Sequence, residues 1–193
     1  MTRVEAEALL QTLNATLLAS RSATQTLENW CRDHRLAADP KIIASRNKGV
    51  VKPPSDEVLK LLAVKPGEKV TYREVRLSCG DRILSEADNW YVPARLTPDM
   101  NKALEETDTP FGKVIRPLEP YRRTFSATLL WHPLPDGWET GAPLQAGSGG
   151  ALQLPPHLLE HKAIVLTRTG LPISFVDERY TKALFEFPLK VAE

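Results

Sequence analysis

The stretch that decides the fold runs from Glu68 to Val92 and reads EKVTYREVRLSCGDRILSEADNWYV. The residues before Gly80-Asp81 are rich in valine, threonine and tyrosine, which favour β-strands. A glycine-containing pair between two such runs is typical of a hairpin turn. We therefore predict antiparallel strands over residues 68–79 and 83–92, with the turn at Gly80-Asp81.

Helical patterns come before this hairpin, and mostly strand patterns come after it. Thr2 and Glu5 form a capping box, and the leucines that follow recur at helical spacing. The pattern predicts helices over 3–19, 22–35, 55–62 and 97–106. It predicts further strands over 121–132, 161–168 and 172–180, with a short tail helix near 181–187. Helices followed by hairpin-linked strands indicate an α+β domain on an antiparallel sheet.

The chain length of 193 residues suits a single domain with one core. We expect residues 1–54 to form a helical N-terminal extension or flap, in which 36–54, broken by prolines, is a loop. Residues 134–153 contain the glycine-rich segment 147–150 and are predicted to be a loop insert.

Composition and charge exclude several classes of protein. The 25 lysines and arginines nearly cancel the 24 acids, whereas a nucleic-acid-binding module is usually strongly basic. No apolar run approaches the ~18 residues of a membrane span. The start of the chain carries acids where a signal peptide would be basic and then apolar. Cys31 and Cys79 are too few for a disulfide framework or a metal cluster. We therefore expect a cytoplasmic protein.

Arg73 stands out because of its position on the first strand of the hairpin. Alternate residues of a strand point to opposite faces, which places Arg73 with Val75 and Leu77 on the more apolar face. An inward-facing guanidinium needs an anionic partner, because an unpaired buried charge is costly. The partner is either an internal carboxylate, or water near the strand end, or the carboxylate of a ligand.

An acidic pair follows on the last predicted strand. Asp177 and Glu178 point to opposite faces, so one of them faces the covered side of the sheet. That carboxylate would pair with Arg73 or act on a ligand hydroxyl or proton. The alternative is that both are solvent-exposed acids beside Arg179. Residues 109–112 form a tight loop that is either a simple turn or a source of backbone amides for a ligand carboxylate.

Other sequence features point to no familiar site. The four histidines lack the spacing of a metal site, and neither cysteine belongs to a CxxC motif. Nucleotide-binding loops and the GxSxG elbow are also missing from the sequence. Arg122-Arg123 is a candidate anion site, but the pair straddles both faces of a strand.

Several short motifs occur along the chain in the order found in a known family. Tyr72-Arg73-Glu74-Val75 lies on a strand, and the next strand ends in Val92-Pro93. A helix then leads to Thr109-Pro110-Phe111-Gly112 and to a strand that begins near Arg122. Residues 168–173, RTGLPI, follow, with an acid five or six residues after the proline. Over residues 55–185 this order resembles the chorismate pyruvate-lyases, whose fold is shared with the effector-sensing UTRA domains of transcription regulators.

The resemblance implies a fold, a reaction and a set of site residues. The fold would be a six-stranded antiparallel sheet with helices on one side and a ligand cavity under helical flaps. The reaction would convert chorismate to 4-hydroxybenzoate and pyruvate without a cofactor, a step of ubiquinone biosynthesis. The site residues would be Arg73 on a substrate carboxylate, backbone groups at Phe111 and Gly112, a flap contact near Ile42, and Glu178 or Asp177 as the site acid. We prefer Glu178, which keeps the side-chain type, although a gapless count from Pro172 gives Asp177.

Two functions follow from these expectations. The first is a lyase in which Arg73 and Glu178 are the catalytic residues and Phe111, Gly112, Ile42 and Asp177 also contact substrate. The alternative is a non-catalytic binding protein for a small carboxylate effector. Both interpretations expect a monomer, a small anionic aromatic or pre-aromatic ligand, no metal or organic cofactor, and neither nucleic acid nor membrane as partner. A third, purely structural interpretation needs a filled core in which Arg73 is paired with Glu178.

Overall fold

The computed structural model describes residues 1–143 and 152–188. Its strands are β1 (Ile42–Asn47), β2 (Thr71–Cys79), β3 (Arg82–Tyr91), β4 (Tyr121–Leu129), β5 (His157–Leu166) and β6 (Pro172–Thr181). Its helices are α1 (Arg3–Ala19), α2 (Ala23–Asp33), α3 (Asp56–Leu61), α4 (Pro98–Glu106) and α5 (Phe111–Val114). The six strands form one antiparallel sheet in the order β1-β2-β3-β6-β5-β4, which confirms the predicted α+β class.

The β2–β3 hairpin lies near the middle of this sheet and turns at the predicted Gly80-Asp81 pair. Gly80 has a φ of +55°, in the left-handed region that favours glycine. A Cβ at this position would also lie 2.9 Å from the Cβ of Ala37. Both the backbone conformation and the close approach of the chain therefore require glycine at the turn.

The edge strand β1 was missed by the sequence analysis, and the prediction of a loop over 36–54 is wrong for Ile42–Asn47. Ile42 and Ala44 are buried while Ile43 and Ser45 are exposed, which is the alternation of a half-covered strand. The strand pairs with β2 from Ile42 opposite Cys79 to Asn47 opposite Glu74. Six residues between proline- and glycine-containing segments carry too short an alternation to be recognised alone.

The helices are divided between the two faces of the sheet. The front face is defined here as the one that bears Arg73, Val75 and Leu77 of β2. On this face α1 and α2 bury a cluster that includes Leu13, Leu27 and Trp30, and α4 and α5 pack in a second cluster around Tyr91. The short helix α3 packs on the back face against Trp90 and Phe175.

The ends of the chain and the insert differ in detail from the predicted elements. The predicted tail helix is a 3-10 turn over Lys182–Phe185. In the predicted insert 134–153, the described part contains a 3-10 turn over Trp138–Thr140, and residues 144–151, including the 147–150 segment, lie outside the described residues. Within residues 1–143 and 152–188, no helix is both long and apolar enough to cross a bilayer.

A disulfide bond joins Cys31 in α2 to Cys79 at the end of β2. The sequence analysis expected no disulfide framework, and a single bond of this kind was not foreseen. Both cysteines are fully buried in the core cluster beneath α2. The bond therefore fixes α2 against the sheet at the helix end that lies away from Ser22.

We expect reduction of this disulfide to destabilise the fold. The bond closes a separation of 48 residues, and a loop of that length corresponds to as much as about 4 kcal/mol of unfolding free energy. The measurement is urea unfolding with and without reductant. A Cys31→Ala/Cys79→Ala double variant is the control, because reductant should leave its transition unchanged. Two free thiols in the oxidised native protein would contradict the assignment.

Candidate ligand-binding site

A cavity of about 710 Å³ lies on the front face of the sheet. Its floor is formed by alternate residues of the strands, and its walls by the start of α2, by α5 and by the segment that follows α5. The floor consists of Val75, Leu77, Ala87, Asn89, Arg122, Val165, Ser174, Val176 and Glu178. The size matches that of small-molecule sites, and the mixture of apolar floor and few polar groups is typical of them.

The start of α2 and the start of α5 meet at this cavity. Ser22 caps α2 by accepting a hydrogen bond from the Gln25 amide at 3.3 Å. A Cβ on Gly112 would lie 3.1 Å from the Thr24 Oγ1, so the absence of a side chain permits this approach. The Phe111 ring lies 5.7 Å from the Tyr91 ring, and Phe111 and Gly112 both line the cavity.

Glu178 is the acidic group of the cavity floor and is fully hydrogen-bonded. Its Oε1 accepts from the Ser85 hydroxyl at 2.9 Å. Its Oε2 accepts from Arg122 Nη1 at 2.9 Å and from the Tyr180 hydroxyl at 2.8 Å. Burial raises the pKa of Tyr180 well above its ordinary value, so this hydroxyl stays protonated as a donor. Three donors thus fix the position of both carboxylate oxygens.

Arg122 extends from β4 across β5 to reach Glu178 on β6. Its side chain is only 6% exposed. Burial alone would lower the pKa of Arg122, but the adjacent Tyr180 and Glu178 raise it above its ordinary value, so the guanidinium is charged. Arg122 Nη2 is buried and has no hydrogen-bond partner within the part of the chain that the structure describes.

Arg73 is buried on the front face, as strand alternation predicted, but it is not paired with Glu178. None of its three guanidinium nitrogens has a hydrogen-bond partner among residues 1–143 and 152–188. Burial and then the charge of Arg46 lower the pKa of Arg73 to about 10, so it is still protonated at neutral pH. Arg73 itself does not line the cavity, whereas its cross-strand neighbour Asn89 does.

The remaining predicted site residues lie away from the cavity. Asp177 is on the back face, 3.6 Å from Lys162, because adjacent residues of β6 alternate in direction. Burial raises the pKa of Asp177. Ile42 belongs to β1 and is buried in the α1–α2 core cluster rather than in a flap. Asp177 and Ile42 therefore do not line the cavity, whereas Glu178, Phe111 and Gly112 do.

Several cavity groups were missed by the sequence analysis. Asn89 and the first turn of α2 line the cavity without having been assigned to a site, and Arg122 lines it although the Arg122-Arg123 pair was set aside as an anion site. For Arg122 the signal was present, since one member of Arg122-Arg123 had to face the covered side of the strand. For α2 there was no local signal, because its approach to α5 joins segments about ninety residues apart in the chain.

The comparison with known sequences shows a family. No protein-family model matches the sequence. The uncharacterized protein y4mC of Sinorhizobium fredii (strain NBRC 101917 / NGR234) is 53% identical over 189 residues, which cover 97% of this chain and 80% of y4mC. The chain belongs to the y4mC family. Identity at this level over nearly the whole chain means that y4mC has the same fold.

Solved structures resemble this y4mC-family chain at much lower identity. PhnF from Mycobacterium smegmatis is 14% identical, with a TM-score of 0.51 over 91% of this chain and 71% of that one. The separate effector domain of PhnF matches over 89% of this chain and 94% of its own length, with 14% identity and a TM-score of 0.49. YydK from Bacillus subtilis subsp. subtilis str. 168 matches over 79% of this chain and 63% of its own length, with 14% identity and a TM-score of 0.44. At an identity of 14% the likeness to PhnF establishes the fold alone.

We expect His161, next to the Arg122–Glu178 pair, to make stability depend on pH. Burial and then the charge of Arg122 lower the pKa of His161 to about 4, and its Nε2 lies 2.8 Å from Asn14 Oδ1. The unfolded chain takes up the proton near pH 6.5, whereas the folded chain stays neutral until about pH 4. Stability contributed by neutral His161 is therefore present above pH 6.5 and is lost as the pH falls toward 4.

The measurement is urea unfolding at pH 7 and pH 5.5. We expect the wild type to lose about 1 kcal/mol more over this interval than a His161→Gln variant, in which Asn14 keeps a hydrogen-bonding neighbour. Equal losses in the two proteins would show that His161 is not held neutral by its surroundings.

Proposed function

We propose that this chain is a binding domain for a small organic anion, which it holds in the front-face cavity without converting it. The observation that carries the proposal is the buried guanidinium of Arg73, whose three nitrogens have no partner in the described residues. A buried charge without a partner destabilises a fold by several kcal/mol. A carboxylate supplied by a ligand would remove that penalty and gain charge-assisted hydrogen bonds.

The polar groups in and beside the cavity suit such a ligand. Arg73 and Arg122 Nη2 provide unpaired donors, and Asn89 Oδ1 provides an unpaired acceptor. The donors call for the oxygens of an anion, and the acceptor calls for one hydroxyl or amine of the same molecule. Arg73 does not line the cavity, but its cross-strand neighbour Asn89 does. We therefore propose that side chains beside Asn89 rearrange so that the ligand can reach Arg73.

The proposal extends to the organisation of the domain. We propose that residues 1–193 form one binding domain, in which α2 from the N-terminal segment acts as a flap over the cavity. PhnF, which shares the fold, contains an effector domain. We also propose that a monomer binds the ligand.

Lyase turnover is the second candidate, favoured by the position of Glu178 on the cavity floor. Loss of pyruvate from chorismate yields an aromatic product and needs a base or an orienting carboxylate for the ring. Glu178, however, already accepts three hydrogen bonds from Ser85, Arg122 and Tyr180. Both of its oxygens are therefore already held by protein donors, which disfavours contact with a substrate proton. Binding without turnover is the function that this geometry supports better.

We expect an Arg73→Met variant to lose ligand binding and to become more stable in the absence of ligand. Replacing an unpaired buried charge by an apolar side chain should raise the unfolding free energy by about 1–3 kcal/mol. Loss of the carboxylate partner should weaken binding of 4-hydroxybenzoate by at least about 30-fold, equivalent to 2 kcal/mol. Calorimetric titration and urea unfolding measure the two effects.

The matched control is Arg76→Ala, which removes an exposed arginine from the back face of the same strand. This variant should bind like the wild type. Wild-type-like binding by Arg73→Met would contradict the proposal, and a large loss of stability would show that Arg73 has an internal partner.

The competing lyase interpretation is tested by incubation of the protein with chorismate. We expect chorismate to raise the melting temperature without release of 4-hydroxybenzoate and pyruvate, because Glu178 is not free to act as a base. Product is followed by absorbance and chromatography. Equimolar release of both products by the wild type, lost in Glu178→Gln, would overturn the binding assignment in favour of the lyase.

A further inference from the structure

The cavity contains a second group of features that point to an anion, remote from Arg73. The guanidinium of Arg122 is fixed in orientation, since Nη1 donates to Glu178 at 2.9 Å and Nε lies 3.4 Å from the Thr124 hydroxyl. Glu178 is itself immobilised by Ser85 and Tyr180. This leaves Nη2, buried and without a partner in the described residues, on a side chain of the cavity floor.

The first turn of α2 borders the same cavity. Ser22, Ala23, Thr24 and Gln25 line it, and α2 is an 11-residue helix. The first amides of a helix have no acceptor within the helix, and the helix dipole adds partial positive charge there. The Ser22 hydroxyl accepts a hydrogen bond from the amide of Gln25, the third residue of the helix. The start of α2 therefore presents partial positive charge at the cavity, where it would attract an anion.

Charged side chains around the cavity leave an excess of positive charge. Lys113 is paired with Glu28 at 2.8 Å, and Glu119 with Arg168 at 3.2 Å. Arg21 and Arg116 also line the cavity, and neither forms an ion pair within residues 1–143 and 152–188. Once Glu178 is matched to Arg122, no lining carboxylate is left to neutralise Arg21 and Arg116.

Arg122 and Arg73 lie in different surroundings. Four strand spacings separate β2 from β4 in the sheet order, which is about 19 Å between backbones. Arg46 and Tyr91 are the charged or titratable neighbours that act on Arg73, whereas Tyr180 and Glu178 act on Arg122. The two guanidinium groups therefore form separate positions for anionic groups.

We propose that Arg122 Nη2 and the first turn of α2 form a second anionic subsite, so that the natural ligand carries two anionic groups, of which this subsite binds a carboxylate or a phosphate. The inference rests on the proposed anion-binding function and adds the class of the ligand. Binding at this subsite would also connect the start of α2 to β4 through the ligand.

Calorimetric titrations with single-anion probes test the subsite without assuming the spacing of the natural ligand. We expect inorganic phosphate or acetate to bind the wild type, and the stronger of the two identifies the anion. Gln25→Glu should weaken that binding at least tenfold by placing a negative charge at the start of α2. This variant completes a capping box with Ser22, so it should fold at least as well as the wild type.

Two further variants separate the subsite from Arg73. Arg122→Lys retains a cation for Glu178 but removes the fixed fork, and should weaken the probe similarly. Because the probe can also bind at Arg73, the readout is the part of probe binding that Gln25→Glu and Arg122→Lys weaken. Arg73→Met should leave that part unchanged while abolishing 4-hydroxybenzoate binding. Gln11→Glu, which adds the same charge on the exposed face of α1, is the matched control and should change nothing.

The outcomes distinguish the two proposals. If neither probe binds, or if its binding is insensitive to Gln25→Glu and Arg122→Lys, the second subsite is wrong. Loss of all probe binding in Arg73→Met would also overturn it, because both anions would then occupy a single position. If the probe binds as expected but 4-hydroxybenzoate does not bind, the Arg73 part of the proposed function fails while the subsite stands.

Discussion

The requirement that a buried charge be paired governs what packs above the front face of this sheet. Arg73, Arg122 and Glu178 all lie on that face and are all nearly inaccessible to solvent. An apolar helix laid directly on them would leave their charges unmatched. The apolar faces of α1 and α2 instead pack around Leu13, Leu27 and Trp30, and a cavity of about 710 Å³ remains beside the charged centre. Arg122 and Glu178 line this cavity directly, and Arg73 lies opposite its lining residue Asn89.

Local sequence patterns predicted most of the helices and strands, but they predicted little of how these elements pair and pack. Strand alternation and the Gly80-Asp81 turn sufficed for the β2–β3 hairpin, because register in a hairpin follows from the turn itself. The edge strand β1 was not predicted, since its pairing with β2 is a contact between segments about thirty residues apart. The Cys31–Cys79 bond was missed for the same reason: it depends on how α2 lies against β2, which neither local sequence contains.

In the candidate site, too, the position of single residues on a strand could be predicted, but their contacts could not. Alternation along a strand correctly placed Arg73 on the covered face and put Asp177 and Glu178 on opposite faces. The preference for Glu178 came from the family resemblance rather than from alternation. Alternation did not predict the partner of Arg73 or of Glu178. Glu178 pairs with Arg122, which lies two strands away in the sheet, and this choice depends on strand order rather than on the spacing of residues along the chain. Ile42 was placed near the site through resemblance alone, and the strand that holds it directs its side chain into the core.

The distribution of unsatisfied polar atoms argues that binding, more than structure, accounts for Arg73. A domain of this size has only about 5–15 kcal/mol of net stability, so an unpaired buried guanidinium consumes a sizeable part of it. A side chain with a purely structural role would resemble Arg95, whose guanidinium bonds Glu68 and three backbone carbonyls. Arg73 has neither kind of partner in the described residues, although Asn89 beside it faces the cavity with a free oxygen. The buried Arg73 guanidinium destabilises the ligand-free protein. A ligand that supplies the missing acceptors removes this penalty, so the stability lost in the free state contributes to binding affinity.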